Sequence, residues 1–77
     1  MALGKNRRVL DMKYVYLVYE DWHGLISICA TPEKATELVK KDAFKSGLPE
    51  DTPLDYDDEE SWGWEGATWW KREEVIQ

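Results

Sequence analysis

Between Lys13 and Glu20 this 77-residue chain runs Tyr14-Val15-Tyr16-Leu17-Val18-Tyr19, six consecutive aromatic, β-branched or aliphatic side chains. In an extended backbone successive side chains alternate, so Val15, Leu17 and Tyr19 share one face and Tyr14, Tyr16 and Val18 the other. Both faces are apolar, and such a strand is expected at the centre of a sheet. The rest of the chain has to supply its neighbours and its cover. It must do so without staples: one cysteine, Cys29, allows no intramolecular disulfide or cysteine metal cage, and one histidine, His23, leaves little room for zinc or triad chemistry. A chain this short buries only roughly 60% of its unfolded surface, so core and enzyme pocket would compete for the same side chains.

Glu20-Asp21-Trp22-His23-Gly24 carries turn chemistry, and Leu25 to Ala30 reads as a second strand with Ile26 and Ile28 on one face and Leu25, Ser27 and Cys29 on the other. Thr31-Pro32 starts a helix, because a threonine oxygen caps free N–H groups and proline at the first position gives up a donor that had no partner. Ala35, Leu38, Val39 and Ala43 then form one apolar stripe, and Gly47 stands where a left-handed residue ends the helix. Residues 49–66, opened by Pro49 and Pro53, read as an acidic, tryptophan-rich loop. Residues 68–76 have a partial helical pattern as well, but Trp69-Trp70 favours a strand. The expectation is therefore an α+β domain over residues 12–77, with about three antiparallel strands in the order ββαβ and one helix packed on one face. Residues 1–11, without apolar periodicity, read as a flexible basic arm.

Charge is distributed unevenly. Four cations against one acid give residues 1–13 a charge of +3, and the net −6 leaves −9 for the remainder. Between Glu50 and Glu65 there are eight acids and no Lys or Arg. Asp55, Asp57, Asp58, Glu59, Glu60 and Glu65, with Trp62 and Trp64 among them, are the candidate partner-binding residues. Carboxylates on one segment can imitate nucleic-acid phosphates in a basic groove, and tryptophans anchor interfaces. The plainer reading is a solvated loop that keeps the chain soluble. Trp22, Trp69 and Trp70, in or beside strands, read mainly as core or sheet-face residues.

No metal site is expected, since Asp55, Asp57 and Glu59 alternate but Glu60 and Gly66 occupy the positions where an EF-hand needs glycine and glutamate. No cofactor motif, phosphate loop or nucleophile motif is present, His23 reads as a turn residue and Cys29 as a small core residue, so no catalytic residue is assigned and an enzyme is not expected. The basic arm offers too few cations against a body of −9 for direct nucleic-acid binding. No apolar run approaches the length of a membrane span, and the first residues do not read as a secretory signal, which places the chain in the cytoplasm.

The order of a strand opening Met12-Lys13-Tyr14-Val15-Tyr16, a hairpin, Thr31-Pro32-Glu33-Lys34-Ala35 leading into a short helix, and an aromatic strand at Trp69-Trp70 resembles small ββαβ proteins of bacteriophage and mobile-element genomes. The resemblance covers Met12 to Ile76. It implies a binding protein that disables a host enzyme or defence complex, of the anti-CRISPR or anti-defence inhibitor type, and the acidic, tryptophan-bearing segment makes a host protein with a basic nucleic-acid-binding groove the expected target in the cytoplasm. The basic arm and the acidic segment depart from the shared pattern, and specific function is expected there. The alternative is a structural or assembly module that pairs through an exposed strand edge, with a homodimer among its forms.

Overall fold

The computed structural model describes residues 13–75, so the arm over residues 1–11 lies outside the described residues. The elements in chain order are β1 (Tyr14–Glu20), β2 (Gly24–Cys29), α1 (Pro32–Lys45), β3 (Tyr56–Asp57), β4 (Ser61–Gly63) and β5 (Thr68–Glu74). They form an α+β fold, one antiparallel sheet in the order β2-β1-β5-β4-β3 with α1 on one face. The apolar run is an interior strand, flanked by β2 and β5. The described residues hold five strands rather than about three, because residues 49–66 are not a single loop but contain the β3–β4 hairpin. Residues 68–74 are strand, as Trp69-Trp70 suggested.

Helix α1 begins as its sequence dictates. The Thr31 hydroxyl oxygen accepts the Lys34 N–H at 3.2 Å, and Pro32 fills the first position. At the other end Gly47 takes φ +104, its N–H reaches the Phe44 carbonyl, and the Leu48 N–H reaches the Ala43 carbonyl, both at 3.1 Å. That places Leu48 back against the core, the usual companion of a left-handed helix stop. Ala35, Val39 and Ala43 are buried, with Leu38 half-buried at the margin of the stripe. They pack on Val18, Cys29, Trp64 and Trp70 to form the core.

Strand register determines what faces the helix. Val18 stands opposite Trp70 and Tyr16 opposite Cys29, which puts these four on the helix side. The Trp70 indole donates to the Thr36 hydroxyl at 2.9 Å and meets Tyr16 edge-on, so its polar atom is satisfied in the interior. Buried Thr68 donates its hydroxyl to the Asp42 carboxylate at 2.6 Å, tying β5 to α1. No helix among the described residues covers the opposite face. One cross-sheet row on it runs Leu25, Tyr19, Trp69, Gly63, Tyr56 through all five strands, with Trp69 stacked on Tyr19 at 5.8 Å between ring centroids. Trp69 is half-buried there and is a sheet-face residue, not a core one.

Candidate functional site

The acidic residues are gathered at the β3 end of the sheet, on β3 and the turns beside it. Two of them hold backbone. Asp58 accepts the Glu60 N–H at 2.8 Å and the Ser61 N–H at 2.9 Å, closing the β3–β4 turn, and Asp55 accepts the Glu65 N–H at 2.9 Å. Such side-chain-to-backbone bonds are why aspartate recurs in turns. Asp57, Glu59, Glu60 and Glu65 are exposed, and the Glu59 carboxylate comes within 3.8 Å of the Arg72 guanidinium. An exposed pair at that distance contributes little to stability.

The bonds from Glu60, and then Ser61, favour the ionised form and hold the Asp58 carboxyl below the usual aspartate range. A carboxyl whose pKa is depressed on folding adds stability above its unfolded value and loses it as pH falls through the lower, folded one. The β3–β4 turn is therefore at full strength at neutral pH. Carboxyl titration followed by NMR is expected to place Asp58 below the ordinary aspartate value, and Asp58→Ala to abolish amide protection at Glu60 and Ser61 across the whole pH range. An ordinary Asp58 titration together with unchanged protection in the variant would show that the turn does not depend on this carboxylate.

The tryptophans of this segment are not on the acidic surface. Trp64 is only 4% exposed: its indole N–H donates to the Thr52 carbonyl at 3.0 Å, and its ring packs against Phe44 and Trp62. Trp62 stands opposite Trp70 on the helix side, half-buried under the Lys40 ammonium at 5.7 Å. The structure thus leaves the six carboxylates exposed on and beside the hairpin, Asp57, Asp58, Glu59 and Glu60 at its turn and Asp55 with Glu65 at its open end, and removes the two tryptophans from among them. The physical reason is the β3–β4 hairpin, which turns this stretch into sheet and directs both rings to the core.

The exposed aromatic is instead Trp22. It is 87% exposed at the β1–β2 turn, and the other large hydrophobics exposed among the described residues, Leu25, Ile26 and Ile28, follow on β2. Glu20 shapes this turn by accepting the N–H groups of Trp22 and His23, each at 3.1 Å, while its oxygen lies 2.6 Å from His23 Nδ1. The His23 contact, ahead of the backbone bonds, holds the Glu20 carboxyl below its usual range. Strand β2 carries a bulge: Val18 faces Ser27 but Tyr19 faces Leu25. The extra residue, Ile26, is turned toward α1, where it lines a cleft of about 310 Å³ with Leu38, Lys41 and Lys45. Leu25 and Ile28 share the helix-free face, which reverses the face assignment drawn from simple alternation. A signal was present in the sequence, since Gly24-Leu25-Ile26-Ser27-Ile28-Cys29 contains no charged residue.

A cleft of about 330 Å³ lies between this turn and the end of α1, lined by Glu20, Trp22, Leu48, Ala67 and Thr68 among others. Cys29 is a buried free thiol beneath α1, and His23 is an exposed turn residue. Among the described residues no three or more His, Cys, Asp or Glu side chains form a metal-binding group, and no helix is long and apolar enough to cross a membrane. No protein-family model, curated protein or solved structure matches the chain.

Proposed function

We propose that this chain is a small protein-binding module, acting in the cytoplasm, that engages a protein partner through the β1–β2 turn and strand β2. One observation carries the reading: the four large hydrophobics exposed among the described residues all lie between Trp22 and Ile28, on one hairpin and at one edge of the sheet. Surfaces of this kind exist at a cost in solubility and mark contact sites. An edge strand also offers unpaired backbone groups to a partner, and β2 has no lysine, proline or inward charge to discourage pairing, the bulge at Ile26 being its one interruption of the edge.

A second reading keeps the inhibitor type implied by the resemblance, with the β3 end entering the basic groove of a nucleic-acid-handling protein. The exposure of Asp57, Glu59, Glu60 and Glu65 at one end favours it. Salt and substitution separate the two. The immobilised chain, a Trp22→Ala/Ile28→Lys variant and an Asp57→Asn/Glu59→Gln/Glu60→Gln variant are each exposed to bacterial lysate at low and high salt. A protein retained at both salts, and lost only with the hairpin variant, is the expected result. Retention lost at high salt and with the acid variant would move the function to the β3 end.

A further inference from the structure

We propose that the partner segment engaged by β2 is an extended strand of another protein that carries carboxylates on one face and apolar side chains on the other. The inference rests on the docking role given to β2 and names the chemistry of what docks there. An edge strand is completed by extended backbone, and the two faces of β2 then differ in what they offer the added side chains. On the helix-free face Leu25 and Ile28 stand 48% and 61% exposed, and an apolar neighbour covers them. On the helix side the bulge turns Ile26 against Leu38 in the cleft of about 310 Å³, whose rim carries Lys41 and Lys45. Lysine stems cover apolar surface while their ammonium groups stay at the rim, where a carboxylate on the added strand meets them.

Spacing on α1 makes this groove a basic place on an acidic chain. Lys34, Leu38, Lys41 and Lys45 recur at i, i+4, i+7 and i+11, one stripe along the side of the helix that borders β2. Glu33, Glu37, Lys40 and Phe44 repeat that spacing as a separate stripe, which leads to the β4 side: Lys40 lies over Trp62 and Phe44 packs on Trp64. Among the described residues the ammonium groups of Lys34, Lys41 and Lys45 form no ion pair, so all three are open to a partner's carboxylates.

The acids nearest the groove are turned to other work or other sides. Asp42 lines the cleft, but its carboxylate accepts the Thr68 hydroxyl at 2.6 Å. Asp21, in the β1–β2 turn, is held on the β5 side of β1, where its N–H donates to the Ala67 carbonyl at 2.9 Å. The carboxylates of the β3 end lie four strand spacings from β2, about 19 Å at ~4.8 Å each, more than twice the screening length of about 8 Å at physiological salt. The lysines of the stripe therefore set the local preference.

Two synthetic peptides, one alternating valine with glutamate and one alternating valine with lysine, test this by NMR titration of the full chain. Dissociation constants are read from the amide shifts of residues 25–28, so that a lysine peptide held by the acids of the β3 end is not counted. The glutamate peptide is expected to bind at least tenfold more tightly than the lysine peptide at low salt, and to shift amides of α1 between Leu38 and Lys45 as well. Lys41→Glu/Lys45→Glu, at two exposed positions and checked for folding by circular dichroism, is expected to reverse the order. Equal affinities, a wild-type preference for lysine, an order unchanged by the double substitution, or a glutamate peptide that leaves residues 25–28 unshifted at millimolar concentration would each overturn the acidic strand. The docking role of β2 survives those results if the Trp22→Ala/Ile28→Lys variant loses a lysate protein that the wild type and the lysine variant both retain. If the hairpin variant retains the same protein as the wild type, both fail.

Discussion

Trp64→Ala is expected to lower the stability of this domain by about 3–5 kcal/mol, the usual cost of truncating a large buried aromatic. The side chain fills the space between Phe44 on α1 and Trp62 on β4, and no other residue of the 52–66 stretch reaches so far into the core. Removing it also leaves the Thr52 carbonyl without the indole N–H it accepts, a further loss of about 1 kcal/mol. Small domains have only about 5–15 kcal/mol in total, so the loss removes a large fraction of it. Urea unfolding measures this directly, and Trp69→Ala provides the contrast. Trp69 lies half-buried on the helix-free face, stacked on Tyr19, and its loss is expected to cost about 1–2 kcal/mol. Should the two variants unfold at the same urea concentration, the assignment of Trp64 to the core and Trp69 to the open face would be wrong.

Gly63→Ala is expected to cost about as much, by a different route. Gly63 lies in β4 at φ +135, a conformation that side chains rarely adopt, and a Cβ there would stand 2.5 Å from the Thr68 carbonyl oxygen and 2.6 Å from Trp69 Cα. Both obstacles are backbone of the neighbouring strand and cannot swing aside. Strain of about 1–3 kcal/mol at the dihedral adds to a similar figure for overpacking. Gly66→Ala serves as the comparison: φ is +83, but nothing lies within 4 Å of its Cβ position, so only the dihedral term is lost. NMR spectra of Gly63→Ala should show displaced amides along β4 and β5. A variant as stable as Gly66→Ala would mean that β4 can move away from β5 without penalty.

The parts legible in the sequence were those fixed by near neighbours. Six apolar residues in a row announced an interior strand, and Thr31-Pro32 and Gly47 bounded a helix whose caps depend on groups within five residues. Strands β3 and β4 were not legible because two and three residues are too short to display an alternation. Nothing in the sequence around Gly63 shows that its missing side chain is what allows β5 to lie alongside, because the atoms a Cβ would meet belong to Thr68 and Trp69 of that strand. Trp64 has no apolar run around it in sequence, and its pocket is made by Phe44, twenty residues earlier, and by the Thr52 carbonyl. The exposure of the acids was readable from their charge alone. The roles of Asp55 and Asp58 in holding backbone are not readable that way, because the N–H groups they accept come within reach only when the β3–β4 hairpin has formed. At β2 the alternation was read correctly as strand and wrongly as faces, since one bulged residue reverses everything on one side of it.

The last strand in the chain, β5, is an inner strand of the sheet. Its pairing with β1 joins residues 48 apart at Glu20 and Thr68 and 60 apart at Tyr14 and Glu74. Every other strand contact lies within a short stretch: β1 with β2, β3 with β4, β4 with β5. The domain is thus assembled from two consecutive pieces, a strand-strand-helix piece over residues 14–45 and a three-strand meander over residues 56–74, joined along the β1–β5 seam and by the packing of α1 on β4 and β5. Each piece can begin to form by closing small loops, which is fast, but neither has a complete core. Closing the seam confronts the entropy of a long loop, and contacts of such separation slow folding. The β1–β5 seam therefore governs how fast this small protein folds, as well as whether its two pieces unfold as one.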